Sequence, residues 1–274
     1  ARKFLNAAGI YTSAVAFGGN KPGSPSLTAT NESWNGTSWT EVGDLNQEKD
    51  QLAAAGVSNT SALAFGGNAP GDTANTETWD GSSWTEVNNL NTATRRAGGS
   101  GTATSALCYG GSAPGATAKN ESWNGTSWTE VADLNTARFS LGSGGADNTS
   151  AVAFGGESTA KHALTETWNG SSWTETGDLS TTRAILAGSG IATDALAFGG
   201  TTDSSPIVAV TEEFTGAGAV VNAWSTGGSL NTARAGAAAA GIQTATIASG
   251  GSTGSSSALA EIYNGSSWTE VGDL

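Results

Sequence analysis

The chain holds one histidine, His162, and one cysteine, Cys108. Between them they decide most of the familiar chemistry. His162 lies in a variable segment with no second histidine and no cysteine near it, so a tetrahedral zinc pattern is missing. A Ser-His-Asp site would have to use His162, and no Gly-x-Ser-x-Gly elbow accompanies it. Cys108 stands where the equivalent segment has Ala16, which reads as a buried spectator with no disulfide partner. The Gly-Gly pairs follow strand-like segments and lack the lysine and helix of a phosphate-cradling loop. Glycoside hydrolysis needs two carboxylates at a fixed separation. Most of the acids recur from unit to unit, which is the mark of a structural role; Asp147, Asp194 and Asp203 are the exceptions, and no two of them form an evident pair. No calcium-loop signature occurs. No catalytic, cofactor or metal site is therefore expected.

Two polar rows recur at fixed places. One is Glu32, Glu77, Glu121, Glu166, Glu212 and Glu261; the other is Arg2, Lys49, Arg95, Arg138, Arg183 and Arg234, with Arg95 displaced by one position. They are expected to form ion pairs, within or between units, that orient the linker into the first strand of each unit. The alternative is two separate solvated rows.

These residues need a frame, and the frame is periodic. Gly-Gly pairs begin at Gly18, Gly66, Gly110, Gly155, Gly199 and Gly250, and tryptophans recur at Trp39, Trp84, Trp128, Trp173, Trp224 and Trp268; both series advance by 44 to 51 residues. One unit reads SALAFGG, a variable loop, TETWDGSSWTEV, then NNLNTATR. Each supplies four short strands: in the first unit A over about 3–8, B over about 13–17, C over about 28–34 and D over about 38–42. Asn35-Gly36 and its counterparts at Asp80, Asn124, Asn169 and Asn264 favour the positive φ of a C–D hairpin turn. That explanation also covers their match to glycosylation acceptors where Thr or Ser follows. One such sheet is too small to bury two faces, and stacking like neighbours around an axis solves the problem.

The expected fold is all-β: a six-bladed β-propeller with four antiparallel strands per blade, A innermost and D outermost, and no strand exchanged between the first and last blades. Approximate blades are 1–44, 45–89, 90–133, 134–178, 179–229 and 230–274, one domain over 1–274. Closure is expected from side-chain packing between blades six and one. The repeated aromatics, Trp34 through Tyr263 and the later tryptophans, are expected to fill the wedges between blades. The fifth unit departs from the rest, with EEFTGAGAVVNAW as a longer C–D hairpin.

The Gly-Gly pair after an apolar strand, an aromatic such as Trp34 or Tyr263, and the later tryptophan resemble the kelch-type β-propeller family across nearly all the chain. That family includes enzymes, protein adaptors and carbohydrate-associated domains. Its copper oxidases need Tyr, His and a Cys-modified Tyr, a set that one histidine and one cysteine do not provide. A looser resemblance is to repetitive WNGTSWTEV-type proteins of marine phage and bacterial origin, which implies a virion or surface structural role.

Composition bounds the partners. Lys and Arg total 11 against 24 Asp and Glu, a formal charge of −13, and no basic block occurs, so no nucleic-acid partner is expected. No apolar run is long enough to span a bilayer, so no membrane insertion is expected. Low Lys with abundant Thr, Ser, Asn and Gly points to an extracellular or virion surface. The first residue is Ala, which is expected of a processed or excised chain. In the expected connectivity the B–C loops share one face with the D–A linkers. They vary most, from NKPGSPSL to STGSSSAL, over a constant frame. They are the expected partner-binding loops, with Lys21, Asn68, Lys119, Lys161, His162, Asp203 and Ser255 as candidate contacts. The resulting expectation is a non-enzymatic structural or adhesion module that binds a protein or glycan. The alternatives are a secreted carbohydrate-active hydrolase or lyase using acidic residues, and a purely architectural assembly domain.

Overall fold

The C–D turn sets the local geometry. Asn35 Oδ1 accepts the N–H groups of Thr37 at 2.9 Å and Ser38 at 3.0 Å, and Gly36 follows at φ 94°. Strands rich in Thr and Trp run into and out of such turns. In a computed structural model, which describes residues 1–23, 26–204, 206–216 and 223–274, the chain forms 24 strands in six four-stranded antiparallel sheets. The first sheet is β1 (Asn6–Ile10), β2 (Ser13–Phe17), β3 (Asn31–Trp34) and β4 (Trp39–Val42), paired in that order. The others repeat the order, through to β21 (Ala238–Ile242), β22 (Ala245–Ser249), β23 (Ala260–Tyr263) and β24 (Trp268–Val271). The six inner strands contact one another around an axis, and β1 meets β21, so the fold is a closed six-bladed propeller without a strand swap. The lengthened C–D hairpin of blade five falls largely on 217–222, outside the described residues.

Strand B lies where the sequence placed it, but strand A begins at Asn6, not Lys3. Lys3 instead exchanges backbone hydrogen bonds with Asn20, and Phe4 takes φ 56°, which breaks the extended chain before β1. The inner strands are rich in Gly, Ala and Ser because they crowd the axis. A Cβ at Gly188 would sit 2.6 Å from the Ser143 carbonyl oxygen of the neighbouring blade.

Between blades, aromatic rings interlock. Phe17 of blade one meets Trp84 of blade two edge-on at 4.8 Å, and Phe65–Trp128, Tyr109–Trp173, Phe154–Trp224 and Phe198–Trp268 repeat the contact. At the sixth interface Ser249 takes the place of the strand-B aromatic, and Ala238, Ile247, Trp34 and Leu5 fill the seam.

Side-chain packing is therefore not all that closes the ring. Arg2 donates its N–H to Ser257 O at 2.9 Å and accepts from Gly251 N at 2.8 Å, both in blade six. Its guanidinium reaches into blade one and donates to Gly18 O, Thr30 O and Glu32 Oε1 at 2.9, 2.7 and 2.6 Å. Four further linkers repeat this two-handed grip. Lys49, Arg138, Arg183 and Arg234 hold the Gly-Gly pair of the preceding blade by their carbonyls and pair with Glu77, Glu166, Glu212 and Glu261 of the next. The first glycine of each pair is where that carbonyl lands: a Cβ on Gly18, at φ 64°, would lie 2.6 Å from Lys49 O. The expected ion pairs thus form in five blades, between buried groups in four of them and with a partly exposed Glu32 in blade one. Burial pulls the Arg2, Lys49 and Arg183 cations below their ordinary values, and the paired glutamates act against that shift. Blade three departs: Arg95 pairs with Asp72 at 3.2 Å, and Thr94 occupies the position of the gripping cation.

Candidate functional site

The residue two places beyond each linker cation, or beyond Thr94 in blade three, turns left-handed. Phe4, Gln51, Arg96, Ser140 and Ile185 have φ of 55° to 57°, and Gly236 has 60°. In that conformation each N–H points at the carbonyl of its counterpart one blade back. Gln51 donates to Phe4, Arg96 to Gln51, Ser140 to Arg96, Ile185 to Ser140, Gly236 to Ile185 and Phe4 to Gly236, at 2.8 to 3.0 Å. Six backbone hydrogen bonds close a belt around the axis. Non-glycine residues occupy this region at a cost, so five in one belt are strain held by the frame.

The belt surrounds an open hollow of about 100 Å³ on the face of the D–A linkers and B–C loops. Around it, one backbone geometry presents five different side chains and a glycine: an aromatic ring, an amide, a guanidinium, a hydroxyl, an aliphatic chain and none. Arg96 Nε donates to Gln51 Oε1 at 2.6 Å, and its guanidinium carbon lies 5.6 Å from the Phe139 ring centre. The guanidinium is thereby oriented beside the hollow that Arg96 lines. Apolar walls with a few placed polar groups are the usual make-up of a small recognition pocket. Deeper along the axis, one stretch of the channel is lined by Ala, Gly and Ser of the inner strands. Asp147 and Asp194 lie at A–B turns of the opposite face, where Asp147 accepts from Thr149 and Asp194 from Thr193.

The loop residues singled out by the sequence surround this hollow without converging on one point. Lys21, Asp203 and Ser255 are exposed. Lys161 Nζ crosses to the next blade and donates to Thr202 O at 3.0 Å, with Asp203 Oδ1 at 3.5 Å. Asn68 is engaged inside its loop, donating to Asp50 Oδ1 at 3.0 Å and accepting from Gly71 N at 2.8 Å. His162 lies 2.9 Å from Ser158 Oγ; partial burial, then the nearby Arg138 charge, lowers its pKa from the ordinary imidazole value. Lys119 stands beside strand C, away from the loop tip, against Thr92 and Glu130.

No family model matches the chain, and no curated protein matches it. The recognisable features stay those of the six-bladed propeller itself.

Two surfaces escaped the sequence reading. One is the belt, because its left-handed residues have no common type. The other is on the far face. Among the described residues, the exposed large hydrophobic ones, Ile10, Tyr11, Val57, Ile191 and Ile242, all lie at A–B turns. The residue after the last glycine of strand A is Ile, Val or a smaller residue in every unit, so this rim was written in the repeat. Cys108 is buried, and burial with the neighbouring Glu121 raises its pKa well above the ordinary thiol value.

Proposed function

We propose that this propeller is a non-enzymatic binding module whose loop face engages a protein or glycan partner. The belt carries the reading: a fixed backbone ring of six positions displays five unlike side chains and a glycine around an open hollow, as a recognition site does and a purely structural repeat has no need to do. Arg96 supplies a held cation at the rim, suited to a carboxylate of an acidic side chain or an acidic sugar. Lys21, Lys161, His162, Asp203 and Ser255 add a polar surround, with Asn68 and Lys119 holding loop shape. Resemblance to kelch-type rings and to phage and bacterial surface repeats supports an adhesive role at a virion or cell surface. The test is a glycan array, with binding to intact cells, comparing the natural chain with Arg96→Gln and with a variant whose B–C loops are replaced by one repeated loop. Saturable binding lost in both variants, at unchanged thermal midpoint, supports the reading. Binding that survives both, or none at all by the natural chain, sinks it.

A second reading, a building block of a larger assembly, rests on the apolar A–B rim, since clustered exposed hydrophobic residues mark interaction surfaces. Sedimentation distinguishes it: association abolished by Val57→Asp with Ile242→Asp supports assembly through that rim, and a concentration-independent monomer refutes it.

A further inference from the structure

Five blades hold a cationic group in one place. There, guanidinium nitrogens of Arg2, Arg138, Arg183 and Arg234 meet a glutamate and backbone carbonyls, and in blade two the Lys49 ammonium lies 3.2 Å from Glu77 and 2.7 Å from Asn75 Oδ1. The fullest case is Arg2, which meets the carbonyls of Gly18, Thr30 and Ala16 as well as Glu32. In blade three the matching groups are the carbonyls of Gly110, Lys119 and Cys108 and the carboxylate of buried Glu121. The linker offers only Thr94, whose hydroxyl turns to Ser112 O at 3.3 Å. Among the described residues no ion pair reaches Glu121; it accepts only from Asn91 and from Thr92 N. The Lys119 ammonium is taken up by Thr92 Oγ1 at 3.2 Å and Glu130 at 3.3 Å. Thr94, Cys108, Gly110, Lys119 and Glu121 line a small cavity at this place, with room for about one water-sized body.

We propose that blade three binds a small monovalent cation, of the size of potassium or ammonium, between Glu121 and the carbonyls of Gly110, Lys119 and Cys108. Blade two shows that a compact ammonium serves in this position when it arrives on a side chain. In blades one and five the carbonyls that match those of Gly110 and Lys119 meet a cationic nitrogen at 2.7 to 3.0 Å, the ordinary hydrogen-bond length. Magnesium needs contacts of about 2.0–2.1 Å and calcium about 2.3–2.6 Å, commonly with several carboxylates. One carboxylate balances one positive charge. This site is independent of the loop-face reading.

The experiment is thermal unfolding of the full chain in potassium, ammonium, sodium and choline chloride, with choline holding ionic strength constant. Raising potassium or ammonium from 1 to 100 mM is expected to lift the midpoint by about 2 °C or more, with choline giving none. Thr94→Lys, which carries its own ammonium into the cradle, is expected to abolish the response, and so is Glu121→Gln. A flat response in the natural chain overturns the proposal, and so does an unchanged response in Thr94→Lys. Should the variants not fold, crystals of the natural chain soaked in rubidium decide it: an anomalous peak against the Gly110 and Lys119 carbonyls supports the site, and water alone there overturns it.

Discussion

Arg183→Met is the sharpest test of how the blades are held. The natural guanidinium is fully buried and donates to Gly199 O and Val210 O at 3.0 Å each and to Glu212 Oε1 at 2.6 Å. Methionine keeps much of the volume and removes all three bonds. It also leaves the Glu212 carboxylate, itself 1% exposed, without its cation. Breaking a buried pair from one side costs about 3–5 kcal/mol, most of it the uncompensated charge. For a chain of this size that is a fall of roughly 6–20 °C in the unfolding midpoint. Adding Glu212→Gln removes the stranded charge and keeps an acceptor for the Ser180 N–H, which now bonds Oε2 at 2.7 Å. The double variant is therefore expected to regain about half the loss, leaving the unmade carbonyl bonds at roughly 1 kcal/mol each. Urea unfolding of natural chain, both single variants and the double completes the cycle. A single-variant loss below about 1 kcal/mol, or a double variant no better than Arg183→Met, refutes the claim that the charge pair fastens adjacent blades.

Other outcomes follow from position-by-position comparison of the blades. Trp128, Trp224 and Trp268 donate their indole N–H to Thr76, Thr165 and Thr211 of the preceding blade, whereas Trp39, Trp84 and Trp173 have a buried Nε1 without a partner; the residue of blade six that matches those threonines is Ala260. Ala260→Thr should supply Trp39 with one and raise stability by about 1 kcal/mol in urea unfolding; a loss would show that the seam differs in shape. Ile185 is a β-branched residue at φ 57°, so Ile185→Gly should be neutral to stabilising by about 1 kcal/mol although it deletes a side chain. A clear loss of stability would mean that the side chain's packing outweighs the strain. The pKa of His162 is lowered on folding, so the unfolded chain takes up its proton first, and stability present above about pH 6.5 is lost as pH falls. His162→Thr, the residue at the equivalent Thr28, Thr73 and Thr117, should flatten the midpoint between pH 7 and about pH 5, measured against the natural chain. Asp80 is held down to about 2 by the Ser83 and Ser82 donors of its turn, so Asp80→Asn should remove part of the stability loss between about pH 4 and pH 2.

What the sequence disclosed, and what it hid, divides by distance along the chain. Strands B, C and D were legible because apolar alternation and the Asn-Gly turn act over a few residues. The Arg–Glu rows were legible because a buried charge must recur with its partner. Thr94 shows the other side: a one-residue displacement of Arg95 marked blade three as different, but only the folded ring reveals that Glu121 is left with carbonyls around it. The belt was invisible because Phe4, Gln51, Arg96, Ser140 and Ile185 share only a dihedral angle, imposed by neighbours more than forty positions away. The start of strand A was misplaced for the same reason, since the turn at Phe4 answers to Gly236 and Gln51 rather than to its own neighbours.

The belt has a consequence for change over generations. The circuit itself is made of main-chain bonds, each member being donor to one neighbour and acceptor from the other. What projects from any member can be exchanged with little disturbance to the circuit. The axial mouth is then a socket with six separately replaceable contacts, free to be refitted to a new counterpart while the barrel of blades behind it stays put.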